Sequence, residues 1–332
     1  MKVWQLAYPR NLQHVVAPDL KLTDDKVKVK ITKALITETD VAIYSGAIKV
    51  KAPFIPGRFA IGQVTEEGNS GFFKRGQRVY LAGVTEDEVA PDGLRIAGET
   101  DDGFYRDFVL TNPDDAYLLP PSVTDEAAFL IDAIALAEHV VDEMNVEVGQ
   151  HVLVLGGGVY ANVLCQILIY HRAVPILADN NAERLARAKR SGIYYTFPID
   201  DNLRHNVLSV TGGKLADGAV YIAFNNRCEP SVLFPLVKRE SHVAFCSLTG
   251  KNLHVNLEYA MKNNVTIKGI TESRSFVSTA INLLANKAVN FSEFPFRSAR
   301  EEELPQLLEK HAELLDQGAP MPEQFDVVKF IF

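Results

Sequence analysis

Val152-Leu153-Val154-Leu155-Gly156-Gly157-Gly158-Val159-Tyr160-Ala161 is the stretch on which the reading of this 332-residue chain turns. A branched, apolar run predicts a buried strand over His151–Leu155, and the uncharged residues 159–171 predict a helix. Between them stands GxGxxA. Gly156 permits a tight turn, Gly158 lets backbone approach a pyrophosphate, and Ala161 allows close helix–strand packing. The helix opens on Val159 and Tyr160, so its first amides and positive dipole end face the phosphates. A second strand, Val174–Ala178, leads to Asp179, 21 residues beyond Gly158 (179 − 158). A carboxylate there accepts hydrogen bonds from the adenosine ribose and repels a 2′-phosphate, which favours NAD over NADP.

Residues 152–170 carry no charge over a near-membrane length. The glycine triplet, Asn162 and Gln166 interrupt that run, so strand, turn and helix explain it better than a membrane span. Met1–Leu6 reads as a short strand and lacks the apolar core of a signal peptide. Net charge is 34 − 42 = −8, with no Lys/Arg-rich run, which argues against a nucleic-acid partner. Cys165, Cys228 and Cys246 are too few and too scattered for a disulfide framework or a metal knuckle. Reduced thiols and a cytoplasmic setting are expected.

Working outward, strands and helices alternate from residue 151. Glu183–Ser191 and 229–238 read as helices, and Ala219–Phe224, His242–Ser247 and Val265–Ile270 as strands. This is the pattern of a doubly wound parallel sheet, an α/β fold of the Rossmann kind. Before it, Lys26–Ile31 alternates with period two, and Ile61–Val64 and Arg78–Leu81 are short apolar runs amid Pro and Gly punctuation. A compact β-rich domain of short strands is expected. Residues 81–102 are acidic and read as a surface excursion. One helix, capped by Ser122 or Thr124, is expected through Ala127 to about Met144. Helices near 276–287 and 301–316 and a strand over Phe325–Phe332 end the chain. The expected domains are 1–120 with 271–332, and 121–270.

With these motifs in place the chain resembles the medium-chain dehydrogenase/reductase superfamily, which includes zinc alcohol, polyol and threonine dehydrogenases. Val27–Ile31 followed by Ile36–Val41 is similar to its VKVK…ICGTDV segment. Ile55–Gly62, Gly76–Val79 and Gly103–Val109 are similar to PGHEFAG, GDRV and GGYAEYV. The resemblance implies a GroES-like β-rich catalytic domain with a Rossmann domain inserted, a small-molecule substrate, and a homodimer joined through the last Rossmann strand.

The departures carry as much weight. Thr37 stands where zinc members have Cys, and Arg58 and Phe59 stand for a His-Glu pair. Asp132 falls at the third ligand position. Thr37 and Arg58 cannot hold zinc, since a guanidinium repels the cation. The four-cysteine structural lobe is replaced by the Cys-free residues 81–102. Both zinc sites are therefore expected to be absent. In the metal's place, either Arg58 stabilises developing negative charge with Asp132 orienting it, or the two form a buried ion pair. Thr39 matches the hydroxyl that relays protons in alcohol-oxidising relatives. Tyr44 either lines the substrate cleft or packs. Glu38 replaces a basic residue near the pyrophosphate, which leaves Arg274 as the candidate phosphate contact. The implied function is a zinc-independent, NAD(H)-dependent oxidoreductase acting on a small alcohol or carbonyl. A quinone or enoyl reductase and a non-catalytic dinucleotide-binding protein are the alternatives.

Overall fold

The computed structural model describes residues 1–69, 71–86, 94–222, 229–246, 255–271, 274–319 and 324–330. In chain order its elements begin β1 (Lys2–Tyr8), β2 (Asn11–Val16), β3 (Val27–Leu35), α1 (Glu38–Ser45), β4 (Ala60–Glu66), β5 (Arg78–Leu81), β6 (Val84–Glu86), β7 (Leu94–Ile96), β8 (Phe108–Thr111), β9 (Ala116–Leu118) and α2 (Asp125–Ala128). Then come α3 (Ile131–Glu143), β10 (His151–Leu155), α4 (Val159–Tyr170), β11 (Val174–Asp179), α5 (Ala182–Arg190), β12 (Tyr195–Pro198), α6 (Leu203–Val210), β13 (Ala216–Tyr221), β14 (Val237–Phe245), α7 (Leu257–Asn263), β15 (Thr266–Gly269) and α8 (Val277–Ala285). The chain closes with β16 (Phe296–Arg300), α9 (Leu304–Asp316) and β17 (Phe325–Lys329). It divides into two compact units, 1–130 with 295–332, and 131–294. The borders thus fall at 130/131 and 294/295, where sequence reading set 120/121 and 270/271. The later second border reflects α8, which packs on α3 of the same unit.

The second unit is built on a parallel sheet of order β12-β11-β10-β13-β14-β15. Leu153 pairs with Ile176 on one side and Ala219 on the other. Val152–Leu155 and Ile176–Ala178 are at most 1% exposed, as strands covered on both faces require. Strand order reverses between β10 and β13, and ligands bind such sheets outside the carboxyl ends of the strands at that point. The first unit carries a sheet of order β16-β17-β3-β4-β5-β9, with β8 also on β3. Val27, Val29 and Ile31 turn alternate side chains into its core, each 0% exposed. Burying one such side chain contributes about 1.5–3 kcal/mol. This is an α/β fold with a Rossmann unit and a GroES-like unit.

Several expectations need correction. The helix expected through residues 127–144 is broken at Phe129 and Leu130 into α2 and α3. Thr124 caps α2, its hydroxyl accepting from the Ala127 amide at 3.2 Å. The helix expected at 229–238 is a 3-10 turn over Pro230–Leu236, because Pro230 and Pro235 deny the amides an α-helix needs. β12, α6 and α7 were not foreseen. The last residues of three expected strands, 223–224, 247 and 331–332, lie outside the described residues, as does Cys228. Among the described residues no helix is long and apolar enough to cross a membrane.

Candidate functional site

The glycine turn forms as its spacing requires. β10 ends at Leu155, and Gly156 takes φ +124°, a backbone state that L side chains rarely adopt. The Gly156 amide donates to Ala178 O at 2.9 Å, tying the turn to β11. The Gly157 amide donates to Asp179 Oδ2 at 2.6 Å. Gly158 is the N-cap of α4, and α4 opens without a side-chain cap. A Cβ on Gly158 would meet nothing within 4 Å, whereas one on Gly157 would lie 2.9 Å from the Arg184 Cβ. The backbone at Gly158 therefore borders open space, with the half-buried Val159 and Tyr160 forming the first helical turn behind it. Ala161 is fully buried, as close helix–strand packing demands.

Asp179 is 1% exposed at the end of β11. Its Oδ1 accepts from the Asn181 amide at 2.6 Å, while Asn181 itself caps α5. Arg184 Nη1 lies 3.6 Å from Asp179 Oδ2. Sequence reading missed Arg184, although the cap at Asn181 was the available signal. It fixes the start of α5 and so brings the third helical residue back over β11. Asp132, in the first turn of α3 and 9% exposed, accepts a hydrogen bond from the Tyr160 hydroxyl at 2.8 Å. Arg274 opens a 3-10 turn over Arg274–Phe276 ahead of α8, and is half-buried.

In the first unit Thr37 is the N-cap of α1. Its hydroxyl accepts from the Asp40 amide at 3.2 Å and donates to Asp40 Oδ2 at 2.7 Å. The Thr37 amide donates to the same oxygen at 2.8 Å, completing a capping box. Asp40 Oδ1 accepts from the Gly57 amide at 2.8 Å, and Asp40 is 0% exposed. Burial pushes the Asp40 carboxyl above the usual carboxylate range, and hydrogen bonds from Thr37, Gly57 and Tyr105 pull it back part of the way. Gly57 holds φ +108°, and a Cβ there would come within 2.7 Å of the Tyr105 ring. Thr39 is half-buried within α1. Tyr44 packs in the core at 3% exposure, its hydroxyl donating to Glu309 Oε2 at 2.9 Å. Burial and Glu309 push that phenol up to about 12. Of its two readings, the packed aromatic is the one observed.

Arg58 is 5% exposed, and its Nη1 lies 3.1 Å from Glu99 Oε2. Its guanidinium also lies 5.6 Å from the centre of the Phe59 ring. Within its own unit Arg58 thus meets Glu99, from the stretch read as a surface excursion. Within its own unit Asp132 meets Tyr160. Thr37, Arg58 and Phe59 are occupied in a helix cap, an ion pair and the core. No group of three His, Cys, Asp or Glu side chains suited to a metal ion occurs among the described residues.

Residues 23–121 match the alcohol dehydrogenase GroES-like domain family. Sorbitol dehydrogenase of Bacillus subtilis is 24% identical over 309 residues, 87% of this chain and 87% of that protein. Human sorbitol dehydrogenase is 26% identical over 340 residues, 89% of this chain and 92% of its own. Among solved structures, an E. coli short chain alcohol dehydrogenase complexed with NADH superposes with a TM-score of 0.83 at 19% identity, covering 99% of both chains. A Sinorhizobium meliloti chain bound to NADP gives 0.84 at 19% identity, over 99% of both chains. The 2R,3R-butanediol dehydrogenase of Bacillus subtilis gives 0.84 at 17% identity, again over 99% of both chains. Over residues 23–121 the chain is thus similar to that domain family, and over most of its length to sorbitol dehydrogenases.

Proposed function

We propose that this chain is a nicotinamide-dependent oxidoreductase that moves hydride between the cofactor and a small alcohol, polyol or ketone. The observation that carries the reading is the turn Gly156–Gly158, with open space before Gly158 and an uncapped helix start behind it. Its amides suit a pyrophosphate, and Asp179 suits the adenosine ribose. The bound nicotinamide supplies the hydride donor or acceptor. The sorbitol dehydrogenase relatives favour alcohol and polyol chemistry over the quinone and enoyl reductase branch.

NAD(H) is the proposed preference. The Asp179 carboxylate repels a 2′-phosphate, while Arg184 offsets part of that charge. NADH is expected to bind tighter than NADPH when each is titrated by fluorescence. Arg184→Ala is expected to weaken NADPH more than NADH, by roughly 3–10-fold, since it removes the nearby cation alone. Equal or tighter NADPH binding by the unaltered chain contradicts the preference.

Zinc independence is part of the proposal. It rests on donor chemistry, since a hydroxyl in a helix cap, a paired guanidinium and a buried phenyl ring replace thiolate, imidazole and carboxylate. A C2 homodimer through β15 is also proposed. That strand is the edge of the Rossmann sheet, with Ile267 37% exposed, and Leu257 and Met261 of α7 are 60% and 73% exposed. An apolar edge of this kind is a liability unless a partner covers it. Light scattering of the purified chain is expected to give twice the monomer mass, and a concentration-independent monomer contradicts it.

A further inference from the structure

The Tyr160–Asp132 pair is demanded neither by the turn nor by the cofactor. The position of Tyr160 in GxGxxA needs only a residue that tolerates the first turn of α4. A tyrosine there carries a hydroxyl to Asp132 Oδ2 at 2.8 Å, across from the first turn of α3. Both residues belong to the Rossmann unit. Tyr160 lies two residues past Gly158, at the carboxyl end of β10 and beside the point where strand order reverses. Catalysis on this fold takes place at that end of the sheet. A phenol donates one hydrogen bond and accepts two. With its proton committed to a carboxylate, the Tyr160 oxygen is oriented to accept a hydrogen bond from a substrate hydroxyl.

We infer that Tyr160 is a catalytic residue that binds the substrate oxygen and passes its proton to Asp132, which positions the phenol and receives the proton. The inference rests on the oxidoreductase reading above. Oxidation of a secondary alcohol breaks one C–H and one O–H bond. The hydride goes to the nicotinamide. The hydroxyl proton moves to the Tyr160 oxygen as the Tyr160 proton moves to Asp132 Oδ2, leaving a ketone, an intact phenol and a protonated carboxyl that solvent then deprotonates. Reduction runs the same path backwards. A carboxylate is a weak base for a resting alcohol. As hydride leaves, the oxygen becomes far more acidic than a carboxylic acid, so a carboxylate at the end of the relay suffices without a metal.

The test uses the full chain with Tyr160→Phe, Asp132→Asn and the double variant. Asp132→Asn keeps an acceptor for the phenol but cannot take a proton, so it separates a relay from a merely structural hydrogen bond. With NAD and sorbitol or 2,3-butanediol as probes, each single variant is expected to lose roughly 10²-fold in kcat, the scale of one proton-transfer group, with KM within about 3-fold in Asp132→Asn and raised roughly 10-fold in Tyr160→Phe, which loses the hydrogen bond to the substrate. The double variant is expected to be no slower than either single, as for groups acting as a unit. A readout independent of turnover is trifluoroethanol, an alcohol too electron-poor to give up hydride, titrated into the NAD complex by protein fluorescence. Tyr160→Phe is expected to weaken it at least roughly 10-fold, the loss of about one hydrogen bond in a site built to make it. Near-normal kcat in Asp132→Asn, or trifluoroethanol binding that is absent or indifferent to Tyr160, overturns the proposal while leaving the cofactor reading standing. Failure to bind NADH or NADPH at all overturns the functional reading itself, and the relay with it.

Discussion

Gly158→Ala is expected to leave the protein folded and to abolish most of its dinucleotide affinity. A Cβ at this position meets no protein atom within 4 Å, and the backbone lies at φ −66°, a state every residue adopts. The fold therefore has no reason to object, and the midpoint of thermal unfolding should stay within about 2 °C. The open space before Gly158 is where a pyrophosphate must come close to the first amides of α4. A methyl group there holds the phosphates off. Hydrogen bonds to a charged group are worth about 1.5–3 kcal/mol each, so losing one or two weakens NADH roughly 10–100-fold or more. Gly157→Ala gives the contrasting result. Its Cβ would lie 2.9 Å from the Arg184 Cβ and 3.0 Å from the Asp179 Cβ, so stability falls together with binding. Calorimetric titration of NADH beside thermal melts of both variants reads the two effects separately.

The second large effect is on stability, at Asp40. Its carboxylate gathers the Thr37 hydroxyl, the Thr37 amide and the Gly57 amide in a fully buried site. Asp40→Ala removes the acceptor for all three and opens the capping box of α1. The expected cost is about 3 kcal/mol or more, the sum of a lost cap and buried donors left unsatisfied. The same residue sets a pH slope. Burial raises the Asp40 carboxyl above its unfolded value. The folded state therefore holds this proton after the unfolded chain has released it. The stability from the protonated form is fully present below the unfolded value and is lost as pH rises through the folded one. Asp40→Asn removes the titration and flattens that part of the profile. Urea midpoints measured between about pH 4 and pH 8 check the slope, and a slope unchanged in the Asn variant contradicts the assignment.

What the sequence made legible is local. The strand over His151–Leu155, the turn and the helix from Val159 lie within twenty consecutive residues, and the small residues the turn needs stand together there, although two of its amides bond to Ala178 and Asp179 on β11. Asp179 was legible because its distance from the turn is set by one helix and one strand. Pairings across long sequence separations were not. Arg58 meets Glu99 across 41 residues, through a stretch whose acidic composition gives no hint of which carboxylate turns inward. Thr37 illustrates the other limit. Its place in a motif suggested chemistry, while the Asp three residues later made it a helix cap, a pattern the sequence also contained. β12 and α6 escaped because Tyr195–Pro198 is short and ends in proline, and Leu203–Val210 mixes apolar and polar residues without a strong face.

The central claim, a nicotinamide oxidoreductase that works without zinc, is tested most directly by one assay. The purified chain is dialysed against a chelator, its zinc content is measured, and reduction of NAD by a panel of small alcohols and polyols is followed by NADH absorbance. The account predicts well under one zinc per chain and turnover that chelation leaves unchanged. Stoichiometric zinc whose removal abolishes turnover, or the absence of turnover with every alcohol in the panel, contradicts it.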